Sequence, residues 1–144
     1  MNSAVEVATP VSAWGSTADK ARLALEKFPN VQLALLFGSV VSGKMNPESD
    51  LDIAVAAPQP ITWREKMCLI EELALIVLRP IDLLDLQSAH GLILKRALTT
   101  GSLVLCKDRG LYARLIGRML FEQADFQPLV RMILRQRIKQ WIAH

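Results

Sequence analysis

Apolar residues along the chain alternate between two periods, and the switches between them lay out its elements. Residues 1–16 hold Pro10, Gly15 and a single charge, Glu6, and follow neither period, so they read as an irregular arm. From a cap at Ser16 or Thr17, Ala21, Leu23, Leu25 and Phe28 form a helix that Pro29 and Asn30 stop. Residues 31–37 are a compact apolar run ending at Gly38, which predicts a strand covered on both faces. Gly43, Asn46 and Pro47 mark a turn-rich connection. Residues 50–56, D-L-D-I-A-V-A, alternate with the period of a strand until Pro58 and Pro60. Residues 62–78 return to helical spacing, with Glu65, Lys66, Glu71 and Glu72 on the wet side, and Pro80 ends them. A short third strand at 81–86 precedes a helix capped by Ser88, running through Leu98 and closed near Gly101. Residues 103–106 make a fourth strand, and 111–142 read as two helices broken near Asp125 to Pro128. This order predicts an α+β domain: a small mixed β-sheet packed with helices, followed by a C-terminal helical tail.

The 144 residues are 51% hydrophobic and 22% charged, the composition of one ordered domain. At this length about 70% of the unfolded surface can be buried without a disulfide or structural metal. Cys68 and Cys106 are too few for a disulfide scaffold or a four-cysteine zinc site and read as reduced thiols. No apolar run reaches the roughly 18 residues of a membrane span. The first 15 residues hold no Lys or Arg, so no secretory signal is expected there and a cytoplasmic location is. Charge is uneven: residues 107–144 carry eight basic and three acidic side chains, residues 1–106 nine and eleven. Such a tail suits an acidic partner, or it is a solvated helix face; charge alone leaves both open.

The candidate chemistry lies in Gly38-Ser39, ten residues, then Asp50-Leu51-Asp52. Aspartates two apart on a strand share a face, repel one another, and suit a hard cation such as Mg²⁺. Gly38 and Ser39 follow a buried strand, where free N–H groups and a hydroxyl can grip a phosphate. Asp82 and Asp85 lie on the next strand at an odd spacing, so only one of them can join the pair. Asp85 is expected to cap the following helix or bond a loop. His90 and His144 have no partner at ligand spacing and are expected to be structural or surface residues. Trp63, Trp141 and the methionines are expected to be packing groups; Lys95 and Arg96 are within reach of a triphosphate or base, with a solvated helix face the favoured reading.

Together these residues resemble the nucleotidyltransferases of the DNA polymerase β superfamily, with a glycine-serine turn, a spaced D-x-D and a third aspartate on a neighbouring strand. They resemble most the minimal nucleotidyltransferases paired with HEPN-domain toxins, in which the nucleotidyltransferase partner is the antitoxin. The match runs from about Val31 to Asp108. The resemblance implies a polymerase β-like nucleotidyltransferase core over residues 17–108, with residues 109–144 as a partner-docking tail of the same domain. It implies that Asp50 and Asp52 hold two Mg²⁺ ions, that Asp82 ligates the metal at the acceptor hydroxyl, and that Gly38 and Ser39 contact the β- and γ-phosphates of ATP. The arginine that often follows the Gly-Ser pair is absent from Val40-Val41-Ser42-Gly43, and Lys44 is the cation that can replace it. The implied reaction transfers AMP to a hydroxyl, a tyrosine's, of a HEPN toxin in a hetero-oligomer. Neither a membrane nor nucleic acid is expected as a partner, except an operator bound by the complex. A small-molecule nucleotidyltransferase, an antitoxin acting by contact alone and a nucleic-acid-binding repressor are the competing classes. The first shares the site, the second survives loss of Asp50 and Asp52, and the third has no helix-turn-helix signature here.

Overall fold

A computed structural model of the chain describes residues 15–38, 49–123 and 127–143. Within them run α1 (Gly15–Leu25), β1 (Leu33–Phe37), β2 (Leu51–Ala56), α2 (Trp63–Val77), β3 (Ile81–Asp85), α3 (Gly91–Thr100), β4 (Ser102–Cys106), α4 (Arg109–Phe121) and α5 (Gln127–Ala143). The four strands form one mixed sheet in the order β3-β2-β1-β4. β1 is antiparallel to both β2 and β4, while β2 and β3 run parallel, joined by α2. The expected α+β class and mixed sheet are borne out. The arm before Gly15 and the turn-rich connection at 39–48 lie outside the described residues.

Helices cover both faces of the sheet, which is why β1 is apolar at every position and wholly buried. On one face Ala34, Leu36, Leu51, Ile53, Val55 and Leu83 pack against α1 and α2. On the other, Leu33, Leu35, Phe37, Ala54 and Ala56 meet Leu94, Ala97 and Leu98 of α3 and Leu111, Leu115 and Met119 of α4. α2 is held at both ends. Thr62 Oγ1 accepts from Glu65 N–H (3.1 Å), while Glu65 Oε1 accepts from Thr62 N–H (2.9 Å). These bonds hold the Glu65 carboxyl below its ordinary pKa. At the other end Leu78 turns left-handed (φ 62°) and Pro80 follows, as the sequence pattern predicts.

Several expectations need correction. Neither Ser16 nor Thr17 caps α1, which already includes Gly15, and Met67 and Met132 are exposed rather than packed. Leu23 is 59% exposed, because the buried stripe of α1 is Ala18, Ala21, Ala24 and Leu25, and Leu23 points away from it. Trp63 is 75% exposed on the flank of α2 rather than packed. Ser88 does not cap α3. Its hydroxyl donates to Asp85 Oδ2 (3.1 Å), and the helix starts at Gly91, whose N–H is taken by Glu122 Oε1 (2.9 Å) at the end of α4. The two helices of the tail differ in burial. α4 buries Leu111, Leu115 and Met119, whereas the side chains of residues 131–140 and Ile142 on α5 are all exposed. The sheet face that α4 covers is filled by α3 and α4.

Candidate active site at the β2–β3 step

Two ladders fix the position of the central carboxylate. Asp52 lies opposite Phe37 of β1 and, on its other side, opposite Asp82 of β3. Paired residues project to the same face, and adjacent strands are about 4.8 Å apart, so the Asp52 and Asp82 carboxylates adjoin. Asp50 sits two residues earlier and is exposed, as is Asp82; Asp52 is half-buried. Burial pushes the Asp52 carboxyl above its ordinary pKa. The Asp82 charge, a hydrogen bond shared with Asp82 and the Asp50 charge push in the same direction, and Arg96 opposes them. Of the expected set, Asp52 and Asp82 stand side by side, and Asp50 bears on Asp52 through its charge.

Gly38 closes this pair from the end of β1. Its φ is +77°, and a Cβ built there would collide with Asp52 Oδ2 and stand 3.0 Å from Asp52 Cγ. Glycine is required twice over, by the left-handed backbone and by the carboxylate against it. Ser39 and Lys44, the other expected nucleotide contacts, lie outside the described residues.

Asp85 takes no part, as the odd spacing predicts. It is buried, and Oδ2 accepts from Ile61 N–H (3.1 Å) and Ser88 Oγ (3.1 Å), Oδ1 from Gln87 N–H (3.0 Å). The loop after β3 is fastened again by Arg118. Its Nη2 donates to the carbonyls of Leu86 (2.6 Å) and Ala89 (2.8 Å), and its Nη1 to that of Gln87 (3.2 Å). His90 pairs with Glu122 (3.0 Å), in keeping with a structural role.

Carboxylate oxygens alone, held against one another with one of them resisting ionisation, are a donor set for a hard dication and not for a soft one. Among the described residues no three acidic, imidazole or thiol side chains converge on a metal-sized gap. The fit is that of Asp52 and Asp82 as an adjoining pair, with Asp50 acting on Asp52 through its charge.

Residues 19–110 match the family model described as polymerase beta, nucleotidyltransferase. The chain belongs to this family. The nucleotidyltransferase domain thus spans α1 to the start of α4 and includes every carboxylate of the site. It is 34% identical over 80 residues to the protein adenylyltransferase MntA of Shewanella oneidensis, an alignment covering 56% of this chain. The chain spans 58% of the length of that curated relative. A crystal structure of a toxin–antitoxin complex with AMP-PNP contains a chain that superposes with a TM-score of 0.66 at 26% identity, covering 81% of this chain and 98% of that one. A structure of a tri-AMPylated Shewanella oneidensis HEPN toxin with its MNT antitoxin contains another, at a TM-score of 0.62 and 27% identity, covering 83% and 98%.

For Arg96 the sequence reading favours the solvated helix face over reach to the nucleotide. Arg96 lies on the exposed side of α3, as its spacing predicts, yet its charge reaches Asp52. The signal was present in its neighbours. Leu94, Ala97 and Leu98 bring α3 onto the sheet face that carries Asp52, so a cation between them borders that face.

Among the described residues, no helix is long and apolar enough to cross a membrane.

Proposed function

We propose that the chain is an antitoxin nucleotidyltransferase that moves AMP from ATP onto a tyrosine hydroxyl of a partner HEPN ribonuclease toxin and so silences it. The observation that carries this reading is the adjoining Asp52–Asp82 pair, with Gly38 packed against Asp52. The likeness to MntA and to the chains of the toxin–antitoxin complexes supports the donor, the acceptor and a hetero-oligomer with the toxin.

In the proposed reaction the acceptor oxygen bonds to the α-phosphorus, the bond from that phosphorus to the bridging oxygen of the β-phosphate breaks, and pyrophosphate leaves. The hydroxyl proton passes to the carboxylate pair, with Asp82 nearer the acceptor side because it stands on the outer strand. Asp50 and Asp52 would hold two Mg²⁺ ions with Asp82 as the third ligand; the metal would supply charge neutralisation for the triphosphate and a more acidic acceptor hydroxyl. Gly38 leaves the triphosphate room beside Asp52, with Ser39 and Lys44 as its further contacts. Arg96 offsets part of the carboxylate charge until substrate arrives. Residues 17–108 form the catalytic core. Residues 109–144 are the docking tail, of which α5 presents Met132, Ile133, Leu134 and Ile138, each exposed, beside Arg131, Arg135 and Arg137. The two free cysteines, Cys68 exposed and Cys106 half-buried, suit the reducing cytoplasm.

Neutralisation by contact alone is the second reading, favoured by the same exposed α5. Labelled ATP, Mg²⁺ and the cognate toxin separate the two. The native chain should label the toxin and Asp50→Asn and Asp52→Asn should not, while all three still bind it. Silencing of the toxin by the Asn variants would establish contact as sufficient, and equal labelling by them would refute the assignment of the carboxylates.

A further inference from the structure

Asp82 stands on an outer strand, and among the described residues no strand covers its outer side. The bond from Leu51 N–H to the Pro80 carbonyl (2.9 Å) and that from Leu86 N–H to the Val55 carbonyl (2.8 Å) set the phase of the β2–β3 ladder. In a parallel ladder alternate residues of a strand bond to the same neighbour. Asp82 and Leu84 therefore face β2, and the N–H and C=O groups of Ile81 and Leu83 point outward. Among the described residues no strand pairs with that edge. At the opposite edge, by contrast, the Val104 carbonyl of β4 is taken by Arg22 Nε (3.0 Å).

A second feature lies along the same edge. Successive helix residues turn by about 100°, so the circumference of α2 divides into three arcs. Glu72 faces α1, where it pairs with Lys27 (3.0 Å). Leu69, Leu73 and Val77 face the sheet. Trp63, Met67 and Ala74 fall on the third arc, on the far side from α1, and Leu78, the left-handed cap, extends it past the helix end. Since α2 packs over β3 with α1 on its other flank, this third arc overhangs the outer edge of β3. Its large members are 75%, 38% and 79% exposed at Trp63, Met67 and Leu78. Outer strands commonly carry charges or cover that prevent pairing; this one is bordered by an apolar stripe.

We propose that the outer edge of β3 and the apolar flank of α2 together receive an extended segment of the acceptor protein as a fifth strand, placing the residue opposite Asp82 on the face of the carboxylates. The inference rests on the reading of a protein acceptor given above. Residues paired across a ladder project to one face, so pairing by main chain delivers one side chain of the segment to Asp82 and turns its neighbours away. Selection of one hydroxyl would thus come from register, and affinity from the bonds to Ile81 and Leu83 and from apolar side chains laid on α2. The occupant is a strand of the acceptor because the edge itself contains a residue of the active site.

Hydrogen exchange and transfer kinetics test this on the full chain with the cognate HEPN toxin. The Ile81 and Leu83 amides should exchange rapidly in the free chain and become protected at least tenfold in the complex. Trp63→Glu and Leu78→Asn, the second chosen because Asn tolerates the left-handed backbone, should raise KM for the toxin tenfold or more. KM for ATP and kcat at saturating toxin should stay within twofold. Unchanged exchange at both amides in a complex that still transfers AMP would overturn the proposal. So would native kinetics in both variants. Protection in the free chain that disappears on dilution would assign the edge to a second copy of this chain and overturn it likewise. Failure of the native chain to label the toxin at all would instead remove the underlying reading, and is distinguishable for that reason.

Discussion

Replacing Gly38 with alanine perturbs the site without touching a charge. Two costs follow from the structure. A residue with a Cβ held at φ +77° costs about 1–2 kcal/mol in left-handed backbone. In a domain of this size each kcal/mol is worth roughly 2–4 °C, so the backbone cost alone should lower the melting temperature by about 2–8 °C, and the collision with Asp52 by more. The second cost is positional: the new methyl occupies the place of Asp52 Oδ2, and the carboxylate must swing aside. A displacement of about 1 Å in a reacting constellation costs on the order of 100-fold in rate. Toxin labelling by Gly38→Ala at saturating ATP should therefore drop by about two orders of magnitude, far more than the loss of folded protein explains. A thermodynamic cycle isolates the collision. In an Asp52→Ala background the alanine at position 38 meets no carboxylate, so its destabilisation should shrink to the backbone cost alone. Wild-type labelling by Gly38→Ala, or an equal fall in melting temperature in both backgrounds, would refute the contact between Gly38 and Asp52.

The two aspartates of β3 should separate cleanly. Asp85→Ala strands three donors at about 1 kcal/mol each and should lower the melting temperature by roughly 6–12 °C with labelling per folded molecule retained. Asp82→Asn should leave the melting temperature nearly unchanged and cut labelling at least about 100-fold. In metal-free buffer Asp52 should be a stability liability, because its native pKa is raised above the ordinary carboxyl value of 3.8. The native state then holds the proton more tightly, and stability falls as pH rises from 3.8 through the raised value. Asp52→Asn should accordingly raise the melting temperature at pH 7.5, with the gain fading as pH approaches 4, while Mg²⁺ should stabilise the native chain and not the variant. Deleting residues 127–144 should move the melting temperature by no more than about 2 °C, because the described side chains of α5 from 131 to 140 are exposed. The same deletion should weaken toxin capture measured by co-elution; a large loss of stability would place α5 in the core.

Much of the fold was legible because the chain switches period where it switches element. β1 could be recognised as covered on both faces, since only a strand sandwiched between helix layers can be apolar at every position from Leu33 to Phe37. α2 announced its own ends through Thr62, Glu65 and Pro80. The start of α3 was not legible, because its cap comes from Glu122, 31 residues beyond Gly91, and no local pattern encodes a partner at that distance. Leu23 was misread for a different reason: three alanines make up most of the buried stripe of α1, and alanine marks a face only weakly.

In the site the parity of strand positions was decisive. Asp82 and Asp85, both within β3, had to part whatever the rest of the chain did, whereas Asp50 lies one residue before β2 and parity does not bind it. Parity does not give register, however. That Asp82 rather than another residue of β3 stands opposite Asp52 depends on how α2 and the Leu78–Pro80 turn return the chain to the sheet, and that is a matter of packing. The same return sets the outward phase of Ile81 and Leu83. A single geometric fact, the register of β3 on β2, therefore assembles the carboxylate pair and directs the open edge beside it. A shift of one residue would turn Asp82 into the face now filled by Leu83, bury its charge against α2, and lose the pair and the outward amides together.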